Sequence, residues 1–259
     1  MNIKISGGTE MTNMKDFLIE DGMLKKYLGT DANVTIPSGV TGIGDLAFDG
    51  CKSLTNVKIP SGVISIGVLA FGACESLTNI TIPDSVIEIG NRAFLGCKGL
   101  ADQDGFVIVR GTLFDYFGNS TNITIPDSVV CIGTAAFWEC KSLTNIIIPD
   151  SVRSIGNWAF FSCENLTSIT IPNSVTSIEE ETFRNCSGLK SITIPDSINR
   201  IAGGAFMNCE SLTEIYIPSS VISIDYDVFE DCENLVIHTP VGSVAEVYAK
   251  AKRIPVVAE

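Results

Sequence analysis

Charge is sparse in this chain, and positive charge sparser still. Only 18% of residues are charged, and 17 Lys and Arg face 30 Asp and Glu, giving a formal net charge of −13 and a pI near 4.5. A surface of that sign repels phosphates, so nucleic acid and anionic membrane are excluded as partners. It also keeps an apolar-rich chain in solution. Long hydrophobic runs are missing: apolar residues make up 45%, yet no stretch approaches the roughly 18 residues of a membrane-spanning helix. No membrane insertion is expected. Histidine occurs once, at His238, and there is no Cys-x-x-Cys, which removes the familiar zinc spacings. No Gly-x-Gly-x-x-Gly, P-loop, Gly-x-Ser-x-Gly or His-Glu-x-x-His motif occurs. The chain is therefore expected not to be an enzyme, with no catalytic residue, no metal ligand and no cofactor. The first 30 residues hold no basic head followed by an apolar run, so no signal peptide is read there. The expectation is a cytoplasmic protein, or one trimmed at its start. Residues 1–15 lack the periodicity described next and are expected to be a leader or a disordered start.

What the chain has is a repeat. Prolines fall at Pro37, Pro60, Pro83, Pro126, Pro149, Pro172, Pro195 and Pro218, spaced by 23 except for the 43 after Pro83. A fixed period of this size marks stacked supersecondary units that share a core with their neighbours. Residues 16–259 are accordingly expected to form a single domain. Within a unit such as Leu54 to Cys74, Val57 and Ile59 alternate with polar Lys58, the pattern of a strand with one buried face. Proline then closes the strand, because it cannot donate to a ladder. A short extended piece follows, with Gly67 read as a left-handed bend. Ala70, Phe71 and Cys74 come next at helical spacing, long enough for a turn or two.

Two segments depart from this pattern. Phe17–Gly29 and Phe106–Gly118 each read as two strands around a Gly turn, the first at Asp21-Gly22, so hairpin-type coils are expected at 16–33 and 101–121. Residues 236–259 are read as a C-terminal cap: a helix from N-cap Ser243 to Lys252, then a short strand at Ile254–Val257.

Eight of the nine cysteines follow the period. Cys51, Cys74 and Cys97 lie 23 apart, as do Cys140, Cys163, Cys186, Cys209 and Cys232. Stacked coils would set them in one column with parallel side chains, about 5 Å apart but wrongly oriented for a disulfide. Free, buried thiols are expected, with Cys131 off the column.

The pattern Leu-x-x-Ile-x-Ile-Pro-x-x-Val-x-x-Ile-Gly-x-x-Ala-Phe-x-x-Cys, over about Val34 to Leu235, resembles the BspA-type leucine-rich repeat, the 23-residue or treponemal class. The resemblance implies an α/β solenoid: a right-handed superhelix with a parallel β-sheet on its concave face and short helical or 3-10 turns on the other side. It also implies a bacterial protein of the cell surface, secreted or displayed, that binds host or matrix proteins or mediates attachment. The chain departs from the family in showing no export signal and no anchor.

Two surfaces are candidates for a protein ligand. The first is the concave face, where about ten rungs at roughly 4.8 Å would span near 50 Å. Its outward residues are mostly Asn, Thr and Ser, equally consistent with strand filler; Lys58, Thr81, Thr124 and Tyr216 are the binding candidates. The second is the column after the repeated Phe, which holds Leu95, Trp138, Phe161 and Met207, with Trp158 beside it and Tyr116 and Phe117 nearby. Trp138, Trp158 and Phe161 could dock a partner or a second copy; they could equally lie flat over a thin core. The acidic group Asp225, Asp227, Glu230, Asp231 and Glu233 is read as solvated rather than calcium-binding. A Cys232–His238 dyad can be drawn, with Cys232 expected to be inert in the core. The overall expectation is a non-enzymatic interaction scaffold, monomeric or weakly oligomeric. The alternative is a structural, self-assembling repeat protein.

Overall fold

The computed structural model describes residues 14–259; most of the segment expected to be a leader lies outside them. The fold is a parallel-strand β-solenoid of about 10 turns with little helix. It forms two compact units divided between Leu100 and Ala101.

In the first unit, strands Asn33–Thr35, Asn56–Lys58 and Asn79–Thr81 form a parallel sheet in which residues one period apart are partners. In the second, seven strands pair in parallel: Asn122–Thr124, Asn145–Ile147, Ser168–Thr170, Ser191–Thr193, Glu214–Tyr216, Val236–Thr239 and Val256–Ala258. The open-face strands thus hydrogen-bond as a group of three and a group of seven. Each strand turns its Val or Ile inward, and the residue after it, such as Ile59 or Ile217, is buried beneath the proline. Two-residue strands such as Ser65–Ile66 and Ser154–Ile155 make a second set of ladders.

The side opposite the long strands is built from consecutive tight turns rather than from a helix. Alternate amides serve different partners. Those of Ala47, Asp49 and Cys51 donate within their own coil to Gly44, Leu46 and Phe48, while those of Leu46, Phe48 and Gly50 donate to Val68, Ala70 and Gly72 of the next coil. A helix would keep every amide inside its own coil and leave neighbouring coils unbonded. The alternation requires left-handed residues at two points per coil, for example Leu69 and Ala73, or Trp158 and Ser162. Each left-handed non-glycine residue costs roughly 1–2 kcal/mol, and an inter-coil hydrogen bond offsets about 1 kcal/mol of that. Gly67 is not one of these left-handed points. A Cβ there would sit 2.6 Å from the Asp45 amide nitrogen, so glycine is present to let successive coils approach.

The core is a set of columns running from coil to coil. Phe48, Phe71 and Phe94 stack in the first unit, with centroids 4.9 and 5.4 Å apart. Phe137, Phe160, Phe183, Phe206 and Phe229 stack in the second, at 5.1 to 5.4 Å. The hairpins Phe17–Glu20 with Met23–Tyr27 and Phe106–Val109 with Thr112–Tyr116 begin these columns, placing Tyr27 against Phe48 and Tyr116 against Phe137. A Cβ at Gly29 or Gly118 would strike the hydroxyl of the neighbouring tyrosine. Tyr116 is therefore a buried core residue, 5% exposed, and not part of an outward patch.

All nine cysteines are free. The Sγ–H of Cys74, Cys97, Cys163, Cys186, Cys209 and Cys232 donates to the carbonyl of the phenylalanine 26 residues earlier, for example Cys186 to Phe160 at 3.1 Å. Cys51 and Cys140 lead their columns, and both are half-buried rather than buried. The C-terminal helix runs Val244–Lys252. Ser243 Oγ accepts the Glu246 amide and Glu246 Oε2 accepts the Gly242 amide, a reciprocal cap. Strand Val256–Ala258 then pairs with Val236–Thr239.

Candidate functional site

Outward positions along the seven-stranded sheet are those that alternate with the buried Ile: Thr124, Ile147, Thr170, Thr193, Tyr216, His238 and Val257 in one row. The row is small and polar at first and changes character at its end. Tyr216 is 53% exposed and stands opposite His238, which stands opposite Val257. Glu214, two residues before Tyr216, is exposed on the same face. Together with Ser191, Ile215, Thr239 and Glu259, these residues line a concavity of about 530 Å³. That volume falls within the range of roughly 300–1,000 Å³ typical of ligand clefts.

Tyr216, with Glu214 on the same outward face, was legible in the sequence; His238 as the cross-strand neighbour of Tyr216 was not. The strand after Leu235 is one residue short, which breaks a count by 23. Counting back from the proline would have found the match, since Tyr216 and His238 each lie two residues before one, Pro218 and Pro240.

The other open-face candidates lie apart from this cleft. Thr124 occupies the first strand of the same sheet, four strand steps and about 19 Å from Tyr216. Lys58 and Thr81 are exposed neighbours in the three-stranded sheet of the first unit.

On the turn side of the second unit, Trp138 and Phe161 stack face to face, with centroids 4.2 Å apart and planes at 14°. The Arg184 guanidinium lies over Phe161 at 6.0 Å and is held by Glu181, Nη1 to Oε1 3.0 Å. Trp138 is 42% exposed, and its Nε1 donates to Glu139 Oε1 at 3.1 Å. Trp158 and Met207 are only half-buried, and Phe117 sits at the surface. Three successive coils thus present a Trp–Phe–Arg stack, with Trp158 at a left-handed turn position beside it.

The acidic end does structural work. Asp225 Oδ2 accepts the Gly203 amide at 3.0 Å and Arg200 Nη2 at 3.1 Å, while Asp227 Oδ1 accepts the Gly204 amide at 3.2 Å. Both carboxylates lie one coil on from the amides they accept, where the preceding coil uses a backbone carbonyl instead, the Glu181 amide donating to the Gly203 carbonyl. Among the described residues, no group of three or more His, Cys, Asp or Glu is placed to hold a metal ion. Burial raises the Cys232 thiol to about 11, and its proton points at the Phe206 carbonyl rather than at an imidazole.

Residues 26–104 and 108–236 match the family model described as the BspA type leucine rich repeat region, in 6 copies. Among solved structures, a leucine rich cell surface protein from Faecalibacterium prausnitzii is 25% identical over 96% of this chain and 97% of its own, with a TM-score of 0.53. A leucine rich repeat protein of T. pallidum is 30% identical over 78% of this chain and 91% of its own, with a TM-score of 0.43. A leucine-rich repeat protein from Eubacterium ventriosum is 22% identical over 84% and 77%, with a TM-score of 0.51. No curated protein matches.

Proposed function

Because the chain belongs to the BspA-type leucine-rich repeat family, we propose that it is a non-enzymatic scaffold that binds a protein partner on the open face of its seven-stranded sheet. The observation that carries this reading is the cleft at Tyr216, where an exposed aromatic ring, an imidazole and two carboxylates converge on an otherwise small and polar sheet. Tyr is over-represented among residues that dominate protein interfaces. A rigid sheet also holds such a ring in place with little entropy left to lose on binding. Likeness to a cell surface protein of F. prausnitzii supports a location outside the bacterial cell, where host or matrix proteins would be the partners.

Surface plasmon resonance against immobilised extracellular-matrix proteins tests the reading. Binding that falls at least about tenfold with Tyr216→Ala and Ile147→Arg supports it. Binding lost instead with Trp138→Ala and Phe161→Ala would move the site to the turn side. The Trp138–Phe161–Arg184 stack favours one second reading, self-assembly through that patch. Light scattering over a concentration series separates the two, because a strict monomer rules out assembly.

A further inference from the structure

We infer that the cleft at Tyr216 receives a cationic side chain, a lysine ammonium or an arginine guanidinium, from an extended segment of the partner protein. The inference rests on the reading of this face as a protein-binding surface and adds the chemistry of what it binds.

Glu214 and Tyr216 stand on one face of one strand, about 6.6 Å apart along it. A basic side chain laid across the Tyr216 ring gains a cation–π contact, which acts within about 6 Å of the ring. From there its charged head reaches the Glu214 carboxylate for a charge-assisted hydrogen bond. Glu259 brings a second carboxylate to the same cleft, and neither Lys nor Arg lines it.

The charge at this place is uncompensated. Some carboxylates of the second unit are ion-paired, Glu164 with Lys141, Glu181 with Arg184, Glu179 and Asp225 with Arg200, and others, such as Asp150, stand alone among the described residues. Glu214 and Glu259 differ in sharing a cleft with an exposed ring. Glu214 and Glu259 make no ion pair and no side-chain hydrogen bond among the described residues. Two unpaired carboxylates beside an exposed aromatic ring are complementary to a cation, and a net charge of −13 draws basic segments toward the molecule.

The test uses the full chain and fluorescein-labelled decapeptides of alternating Lys-Thr, Glu-Thr and Ala-Thr, read by anisotropy. The Lys-Thr peptide should bind in preference to the other two. Its affinity should fall about tenfold with Glu214→Gln and again with Tyr216→Ala. It should be unchanged by Asp150→Asn, which removes the same charge from an exposed turn. Both site positions are exposed, and circular dichroism checks that the variants remain folded. Equal losses with Glu214→Gln and Asp150→Asn would mean bulk attraction only and overturn the inference. Tyr216-dependent binding of the Ala-Thr or Glu-Thr peptide in preference to Lys-Thr would overturn the cation while leaving the binding face in place. Failure of every peptide, together with matrix binding indifferent to Tyr216→Ala, would remove both.

Discussion

The cysteine column makes the sharpest forecast. Full-length protein is exposed to iodoacetamide at pH 8, and each cysteine-bearing peptide is followed by mass spectrometry over time. The thiolate is the reacting species. Burial lifts the Cys74 and Cys140 thiols to about 12. At pH 8 such a thiol is ionised about one part in 10⁴, against roughly a quarter for an unperturbed thiol near 8.5. Ionisation alone therefore slows alkylation about a thousandfold. Cys74 is also fully buried, with its proton held by Phe48. Cys163, Cys186 and Cys209 are deeper still, with thiols pushed well above the ordinary value by desolvation. Cys131, half-buried and outside the column, should react first. In denaturant all nine should react at similar rates. Labelling of Cys163, Cys186 or Cys209 in native protein within tenfold of Cys131 would refute the stacked column and the recognition surfaces built on it.

Other outcomes follow from the same contacts. Because the column thiols are raised in the folded state, the unfolded chain loses protons first as pH climbs above about 8.5. Stability should hold below that pH and fall between it and about 12, at up to about 1.4 kcal/mol per pH unit for each thiol; urea midpoints that rise over that window would contradict this. Ser243→Ala removes the helix cap and leaves the buried Thr239 hydroxyl without its 2.7 Å partner. The cost should be about 1–2 kcal/mol, seen as faster hydrogen exchange in Val244–Lys252. Gly118→Ala drives a methyl into the Tyr116 hydroxyl, and overpacking of this kind costs about 1–3 kcal/mol; an unchanged thermal midpoint would count against the hairpin packing. Phe160→Ala opens the middle of the ring column, where rings lie 5.1 and 5.4 Å away on either side, and should cost about 3–5 kcal/mol in urea denaturation.

Much of this was legible in the residue order. The prolines, the inward Ile and Val, and the cysteines spaced by 23 foretold half-buried strands and a thiol column, and the family resemblance implied that the strands run parallel. Ser243 foretold a capped helix, and Asp21-Gly22 a tight turn. Other features were not readable. Helical spacing at Ala70, Phe71 and Cys74 turned out to be a run of turns, because the choice depends on whether an amide bonds within its coil or to the next one. Gly67 is required by the backbone of the coil beside it, which no local reading shows. Tyr116 falls beside the outward aromatic column in the residue order, yet its hairpin ring fills the Phe slot of the column that the next coil continues.

What the sequence determined by itself is the coil and its stacking, since each unit buries its apolar side only against the next and the period says which residues meet. Only the tertiary structure decided where the non-repeated side chains fall. The one-residue contraction before Pro240 brings His238 beside Tyr216, and pairing of the last strand adds Val257 and Glu259 to the same cleft. The two carboxylates there stand unpaired because cross-strand register, not spacing along the chain, sets the neighbours of a charge.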